Sequence, residues 1–322
     1  MSRRKRVVII DQLNLFFRSY IVNPSLSTNG FPIGGLKGTI ASLQKICREI
    51  SPDQIIFCWD GPSGSTKRKQ ILKDYKAGRK PIRLNRGVRT LSPEQEEDNR
   101  IWQQTRLVEY FNNMPVVQFM YPGIEADDII SYVKSCNIYD DWEKIIISSD
   151  KDFFQLLDDS TLLYRPIQKQ VLNKFTLVEK FGIHPNNFAL ARAMAGDPSD
   201  NLDGVGGVGL KTISKRFPFL IEEKSYTIDE LVNFCVESCQ TKKIKAYESV
   251  LEKEDIVRRN YKMMQLYVPL LTIESKKDIN NILENADITF NKTEIIKLMN
   301  EDGFGSFDWF ELQGNLNRIV AG

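Results

Sequence analysis

Three short apolar runs in the first half of the chain each lead into an aspartate. Val7–Ile10 precedes Asp11, Gln54–Trp59 precedes Asp60, and Lys144–Ser148 is followed by Ser149 and Asp150. Runs of this length, rich in β-branched and aromatic residues, predict buried strands. A weaker strand is predicted at Val116–Val117. Between them the period changes: Leu36, Ile40, Leu43 and Ile46 recur at three- and four-residue spacing, which predicts a helix over Gly35–Glu49. Further helices are predicted over Pro93–Asn112 and from Glu125 to Cys136. Strand–helix alternation implies an α/β fold, a mostly parallel central sheet with helices on both faces. From Phe175 the pattern is helical to the end, as in the amphipathic stretch Ile256–Leu271, with a glycine-rich break at Gly196–Gly209. Two regions are expected, an α/β domain over 1–174 and a helical region over 175–322.

At 322 residues and 42% hydrophobic, the chain can bury a sizeable core. No apolar run approaches the roughly 18 residues of a membrane span. The basic start Met1–Arg6 leads into a short strand and lacks the apolar stretch of a signal peptide, so a cytoplasmic protein with no membrane partner is expected. Cys47, Cys58, Cys136, Cys235 and Cys239 form no CxxC pair, and His184 is the only histidine, which argues against a zinc site. His184 lies in a helix-entry turn, and a Ser-His-Asp mechanism would have to rest on it alone. The net charge of +2 conceals a polarity. Gly61–Pro93 holds ten Lys/Arg against Asp74, a local +9, and leaves −7 for the rest of the chain. Such a segment suits a polyanion. Its glycines and prolines are too many for one stable helix, so it is expected to be mobile until a nucleic acid orders it.

Nine carboxylates draw attention: Asp11, Asp60, Glu125, Asp127, Asp128, Asp150, Asp152, Asp197 and Asp200. Working sites in open parallel sheets lie beyond the carboxyl ends of the strands, where Asp11, Asp60 and Asp150 are expected. One such aspartate is an ordinary helix N-cap; three in one sheet, with further acids nearby, point to a site. Gathered together they repel, at roughly 4 kcal/mol for a pair about 4 Å apart at an effective dielectric of about 20. Cations would relieve this, and oxygen-only ligands favour Mg²⁺ or Mn²⁺. Two such ions beside a polyanion-binding segment suggest phosphodiester hydrolysis without a histidine base.

Several blocks then make the chain recognisable. They are Val8-Ile9-Ile10-Asp11 with Leu15 and Arg18; Phe57-Cys58-Trp59-Asp60-Gly61; Tyr75-Lys76-Ala77-Gly78-Arg79; Gly123-Ile124-Glu125-Ala126-Asp127-Asp128; Ser149 to Leu157; and Gly196 to Thr212. In this order they resemble the 5′-nuclease (flap endonuclease-like) superfamily, in its bacteriophage and bacterial DNA polymerase I branch. The resemblance covers Val7 to about Phe217 and implies a PIN-like 5′-nuclease fold. It implies that the nine acids hold two or more Mg²⁺, which Mn²⁺ can replace. Lys76 and Arg79 would reach the scissile phosphate from the base of an arch at about 61–93, through which a single-stranded 5′ end threads. Residues 196–217 would form a helix-hairpin-helix-like element that grips duplex backbone, with K⁺ bound there. DNA contacts would come from Arg68, Tyr75, Gly204, Gly206, Gly207, Gly209, Lys211, Thr212 and Lys215. The chain departs from the family pattern at Gln12, Lys67 and Leu72.

The activity so implied is a metal-dependent 5′-3′ exonuclease and flap endonuclease, of the stand-alone phage type. It would remove RNA primers and flaps during replication as a monomer in the cytoplasm, that of the host cell for a phage protein. Its partners would be DNA with 5′ flaps, nicks or ends, RNA–DNA hybrids, and a single-strand-binding protein or sliding clamp. Two alternatives stand beside it. An accessory junction-binding protein would not need nine mutually repelling acids, and a PIN-type RNase would not need the glycine-rich turn and basic arch.

Overall fold

The computed structural model describes residues 3–241, 243–286 and 288–321, so Met1 and Ser2 of the basic start lie outside the described residues. Six strands form one sheet in the order β3-β2-β1-β4-β5-β6. They are β1 (Arg6–Asp11), β2 (Gln54–Cys58), β3 (Val117–Phe119), β4 (Glu143–Ile147), β5 (Thr161–Arg165) and β6 (Gln170–Leu172). The first five are parallel, and β6 returns antiparallel on β5. The mostly parallel α/β fold expected from the sequence is the one observed, with β5 and β6 as additions. The chain winds from β1 out to β2 and β3, then crosses to β4 on the other side of β1. This puts the topological switch point at the carboxyl ends of β1 and β4, where Ile10 pairs with Ile147.

The helices of the first region are α1 (Gln12–Val22), α2 (Gly34–Ile50), α3 (Thr66–Ile71), α4 (Pro93–Asn112) and α5 (Ala126–Lys134). Those that follow are α6 (Lys174–Phe181), α7 (Pro185–Ala195), α8 (Leu210–Arg216), α9 (Ile228–Thr241) and α10 (Lys245–Glu252). The last four are α11 (Glu254–Met264), α12 (Ile273–Asn285), α13 (Lys292–Glu301) and α14 (Trp309–Ala321). Strand alternation divides the core. Val8, Ile10, Ile55, Phe57, Ile145 and Ile147 face α1, α2, α4 and the last two helices. Val7, Ile9, Ile56 and Cys58 face α5 and the helices from α6 to α12. That second cluster runs continuously through both expected regions, and the boundary near residue 175 falls inside it.

Local signals account for the element ends. Ser92 and Gln95 close a capping box on α4 with Pro93 in its first turn. Helix α2 buries Leu36, Ile40, Leu43 and Ile46 as a stripe, worth roughly 1.5–3 kcal/mol per side chain. The helix expected over Ile256–Leu271 stops at Met264. Pro269 cannot continue it, and the stretch after Met264 is held by the Leu266 N–H donating to Gln155 Oε1 (2.7 Å) in the turn after β4 and the Leu270 N–H donating to Asp128 Oδ1 (2.8 Å) on α5.

Candidate active site

The carboxyl ends of β1, β2 and β4 and the start of α5 bring most of the acids together. Asp11 is at once the last residue of β1 and the N-cap of α1, accepting from the Asn14 N–H (3.2 Å) and from the Ser148 hydroxyl (2.9 Å). Asp60 stands two residues beyond β2 at the open rim and accepts from the Ala126 N–H (2.7 Å), the first backbone donor of α5. Glu125, Asp127 and Asp128 occupy the N-terminal turn of α5, where negative charge is tolerated. Asp150 folds back so that its Oδ1 accepts from the Asp152 N–H (2.8 Å). Asp197 and Asp200 lie on the turn between α7 and α8, and Asp197 accepts from the Ser199 N–H (2.9 Å) and hydroxyl (2.7 Å).

The chain's own cations divide these nine acids in two. Arg68, 4% exposed, pairs through Nη1 with Glu125 and Asp128 (both 2.7 Å) and donates through Nε to the Met263 carbonyl (2.9 Å). Lys76 Nζ reaches Glu125 Oε1 (2.5 Å), and Arg79 pairs with Asp200. Arg192, on α7, bridges Asp152 (3.0 Å) and Asp197 (2.5 Å). Among the described residues Asp11, Asp60, Asp127 and Asp150 have no ion-pair partner. Burial, then Asp60, pushes the Asp11 pKa upward against its two hydrogen bonds. Burial, then Asp150 and Asp11, pushes Asp127 well above the ordinary carboxylate range. Desolvation raises Asp60, with the Ala126 N–H opposing. Asp152 is also raised, by burial and Asp150, with Arg192 pulling it back. Burial disfavours charge on Asp197 too, but Ser199 and Arg192 outweigh it and the pKa falls.

Four carboxylates without a basic partner, three of them held away from easy ionisation, form a hard, oxygen-only donor set that fits a divalent cation. Among the described residues no three His, Cys, Asp or Glu side chains already encircle one ion position. The nine acids are therefore neighbours without being a ready-made cage.

The basic segment differs from the mobile arch expected. Helix α3 starts it, and Tyr75 is buried with Leu202, Met263 and Met264, its hydroxyl donating to Asp200 (3.1 Å). The Lys76 N–H donates to the Asp200 carbonyl (2.9 Å), which holds Lys76 at a left-handed φ of 59°. At the far end Arg83 grips buried Glu96 with two bonds (2.6 and 3.0 Å). Arg68 and Tyr75, expected to touch DNA, thus face inward onto the acids. Lys69, Lys73, Lys80 and Arg86 remain exposed, with no ion pair among the described residues. The breakers preclude one long helix, as expected, but ion pairs and the Tyr75 contact dock the segment at both bases.

The glycine-rich break also divides. A Cβ on Gly204 would lie 2.2 Å from the Ala195 carbonyl oxygen, so that glycine lets α7 and the hairpin pack. Gly206, Gly207 and Gly209 face open space, as a surface for close backbone approach requires. Lys211 and Lys215 are exposed on α8 and Thr212 is half-buried. His184 caps α7, its Nδ1 accepting from the Asn186 N–H (3.3 Å), and all five cysteines are free thiols. Sequence reasoning missed Asn14, Ser148, Arg165 and Arg192. Arg165, at the end of the unforeseen β5, donates to the Ser149 carbonyl (2.9 Å) and lies over the Phe154 ring, steadying the turn that carries Asp150.

A family model described as 5′-3′ exonuclease, N-terminal resolvase-like domain, matches residues 6–182. The chain belongs to this family. It is 28% identical over 295 residues to the 5′-3′ exonuclease of Aquifex aeolicus, which covers 91% of this chain and 92% of that one. It is 32% identical over 219 residues to the thermostable DNA polymerase I of Thermus aquaticus, covering 68% of this chain and 24% of the polymerase, so it spans about a quarter of that protein's length. Among solved structures, the bacteriophage T5 flap endonuclease in complex with DNA and metal ions superposes with a TM-score of 0.68 at 19% identity. That match covers 87% of this chain and 100% of the T5 protein, and it shows the shared fold. The exonuclease-family match ends at residue 182, so the Asp197–Asp200 turn and the glycine-rich hairpin lie beyond it. No helix among the described residues is long and apolar enough to cross a membrane.

Proposed function

We propose that this chain is a divalent-metal-dependent 5′-3′ exonuclease and flap endonuclease that hydrolyses phosphodiester bonds near 5′ ends and junctions. The observation that carries this reading is the set Asp11, Asp60, Asp127 and Asp150, without ion-pair partners among the described residues, at a sheet switch point and beside a segment of net +9. These four would hold the first ion, and Glu125, Asp128, Asp152, Asp197 and Asp200 would complete the site. Mg²⁺ is the expected ion, replaceable by Mn²⁺, and K⁺ is expected at the glycine-rich hairpin. Bound divalent ions would supply Lewis-acid charge at the scissile phosphate and activate water.

The chain's own groups do the rest. Lys76 and Arg79 leave Glu125 and Asp200 for the incoming phosphate and stabilise charge as it develops there. Arg68 and Arg192 stay below and fix the carboxylates on α5 and on the two loops. Gly206, Gly207, Gly209, Lys211, Thr212 and Lys215 hold the duplex backbone, and the basic segment opens as an arch for a single-stranded 5′ end. The substrates are DNA flaps, nicks and ends and RNA–DNA hybrids, cut by a monomer in the cytoplasm that works beside a single-strand-binding protein or sliding clamp.

The test is cleavage of 5′-labelled flap, nicked and RNA–DNA substrates with Mg²⁺, with Mn²⁺ and with EDTA. Metal-dependent products at or near the junction are expected. Binding without cleavage under every metal condition would instead support an accessory junction-binding protein, and cleavage of single-stranded RNA alone would support a PIN-type RNase.

A further inference from the structure

We infer that the region after the hairpin contributes a second wall to the duplex grip: a cleft between the glycine-rich hairpin and the turn entering α10 takes the phosphodiester backbone of one DNA strand. The inference rests on the duplex-binding reading of the hairpin and extends it to residues outside that element. The cleft, of about 370 Å³, has Gly206, Gly207, Thr212 and Arg216 on one side and Ile244 and Lys245 on the other. On the hairpin side the two glycines leave open space where a side chain would otherwise stand. A sugar–phosphate chain can therefore approach the main chain closely.

The charge at the cleft is what singles it out. Lys211, Lys215, Arg216, Lys243 and Lys245 lie on its two flanking segments, and none has a carboxylate partner among the described residues. The segments that carry them, 204–217 and 243–247, contain no Asp or Glu. Five uncommitted cations in a chain whose remainder is net acidic leave a site that an external polyanion would neutralise. A duplex strand carries one phosphate per about 3.4 Å of axis, so consecutive phosphates can meet both walls.

The second wall is also held in place. Tyr247, one turn into α10, packs edge-on against Phe217 (5.4 Å) and Phe234 (5.6 Å). Its hydroxyl donates to the Arg216 carbonyl (2.8 Å), which ties α10 directly to the end of α8. The start of α10, with Lys245, is thereby fixed against the end of α8 before any ligand arrives, and little ordering cost falls on binding there.

The test measures binding of a fluorescent DNA duplex in EDTA across a salt series, for wild type, Lys211→Ala and the double variant Lys243→Ala/Lys245→Ala, with melting curves to confirm folding. Both lysines of the double variant are exposed, so its melting curve should match wild type. Its log K against log [salt] slope should fall by about two units, at roughly 0.9 per phosphate contact, with about tenfold weaker binding at moderate salt. A charge-reversed Lys243→Glu/Lys245→Glu variant should bind more weakly still. A double-variant slope equal to wild type, while Lys211→Ala flattens it, would overturn the second wall and leave the hairpin reading intact. If wild type itself binds duplex without salt dependence, the hairpin reading fails first.

Discussion

Replacing Arg68 with methionine tests whether the basic segment is anchored from below. Methionine keeps much of the length and bulk of the aliphatic stem while removing three contacts: Glu125 and Asp128 at 2.7 Å each and the Met263 carbonyl at 2.9 Å. Both carboxylates are nearly inaccessible, with side-chain exposures of 3% and 2%. Glu125 would retain Lys76 and Asp128 the Leu270 N–H, so neither acid is wholly stranded. Removing one member of a buried ion pair costs about 3–5 kcal/mol. At about 2 °C per kcal/mol for a chain of this size, melting should fall by roughly 6–10 °C. The assay is thermal melting in EDTA of Arg68→Met, Asp128→Asn and the double variant. Asp128→Asn should be less harmful in the Arg68→Met background than in wild type, because the stranded charge is gone. An Arg68 that served DNA directly would give a different result: near-normal melting, with duplex affinity reduced and the salt slope flattened by about one unit. That outcome would refute the anchoring argument.

Asp150→Asn should abolish metal-dependent cleavage, retain duplex binding, and raise the melting temperature of the metal-free protein, because Asp150 is among the charges that lift Asp11, Asp127 and Asp152; melts with and without Mg²⁺ check this, and a lower metal-free melting temperature counts against charge crowding. Lys76→Ala should lower kcat far more than substrate affinity, since a cation at the scissile phosphate acts mainly as charge develops; single-turnover rates beside binding isotherms separate the two, and equal losses would make Lys76 a general binding residue. Glu96→Gln should loosen the far base of the segment and expose residues near 80–91 to protease. Arg83 holds the Glu96 pKa below its ordinary 4.5 against the effect of burial, so the pairing stabilises the fold above that pH and the benefit is lost as pH falls through the lowered value. The gap between wild type and Glu96→Gln, about 1–3 kcal/mol near neutrality for a charged hydrogen-bonded pair, should therefore close as pH falls below 4.5 and through the lowered value; a gap unchanged by acid would point to packing instead.

The sheet and the acids were legible because short apolar runs and the aspartates after them are local signals. Strand–helix alternation implied the mostly parallel sheet though not its strand order, and Asp11, Asp60 and Asp150 stand at or just beyond strand ends as expected. Helix α1 was harder to see, because its start is Asp11 itself and the cap signal coincided with the site signal. Strands β5 and β6 are short, and each carries half-buried or exposed positions beside its buried ones, so neither stood out as a fully buried apolar run. The docking of the basic segment could not be read from composition. Ten cations and several breakers suggest an open loop, yet the partners that close it, Glu125, Asp128, Asp200 and Glu96, are separated from Arg68, Arg79 and Arg83 by 13 residues or more. Arg192 was missed partly for the same reason: Asp197 lies only five residues on, but Asp152 is 40 residues away and meets it only in the fold.

The division among the acids follows from electrostatics. Like charges packed this closely would cost several kcal/mol per pair if all remained ionised, and the fold answers with two kinds of internal cation. Arg68 and Arg192 are buried, at 5% and 10% side-chain exposure, and their release would strand carboxylates in a low-dielectric interior. Lys76 and Arg79 are more accessible, at 20% and 51%, so water could solvate them in the proposed exchange of a carboxylate for a phosphate. On the proposed function that exchange would free Glu125 and Asp200 of one cation each, adding negative charge beside Asp11, Asp60, Asp127 and Asp150, which have no ion-pair partner among the described residues. Substrate entry thus raises the demand for external positive charge at the switch point, and by linkage a divalent ion should bind more tightly with DNA present than without it. The buried arginines cannot take part in such an exchange, so Arg68 and Arg192 would serve as the fixed floor of the site while Lys76 and Arg79 change partners.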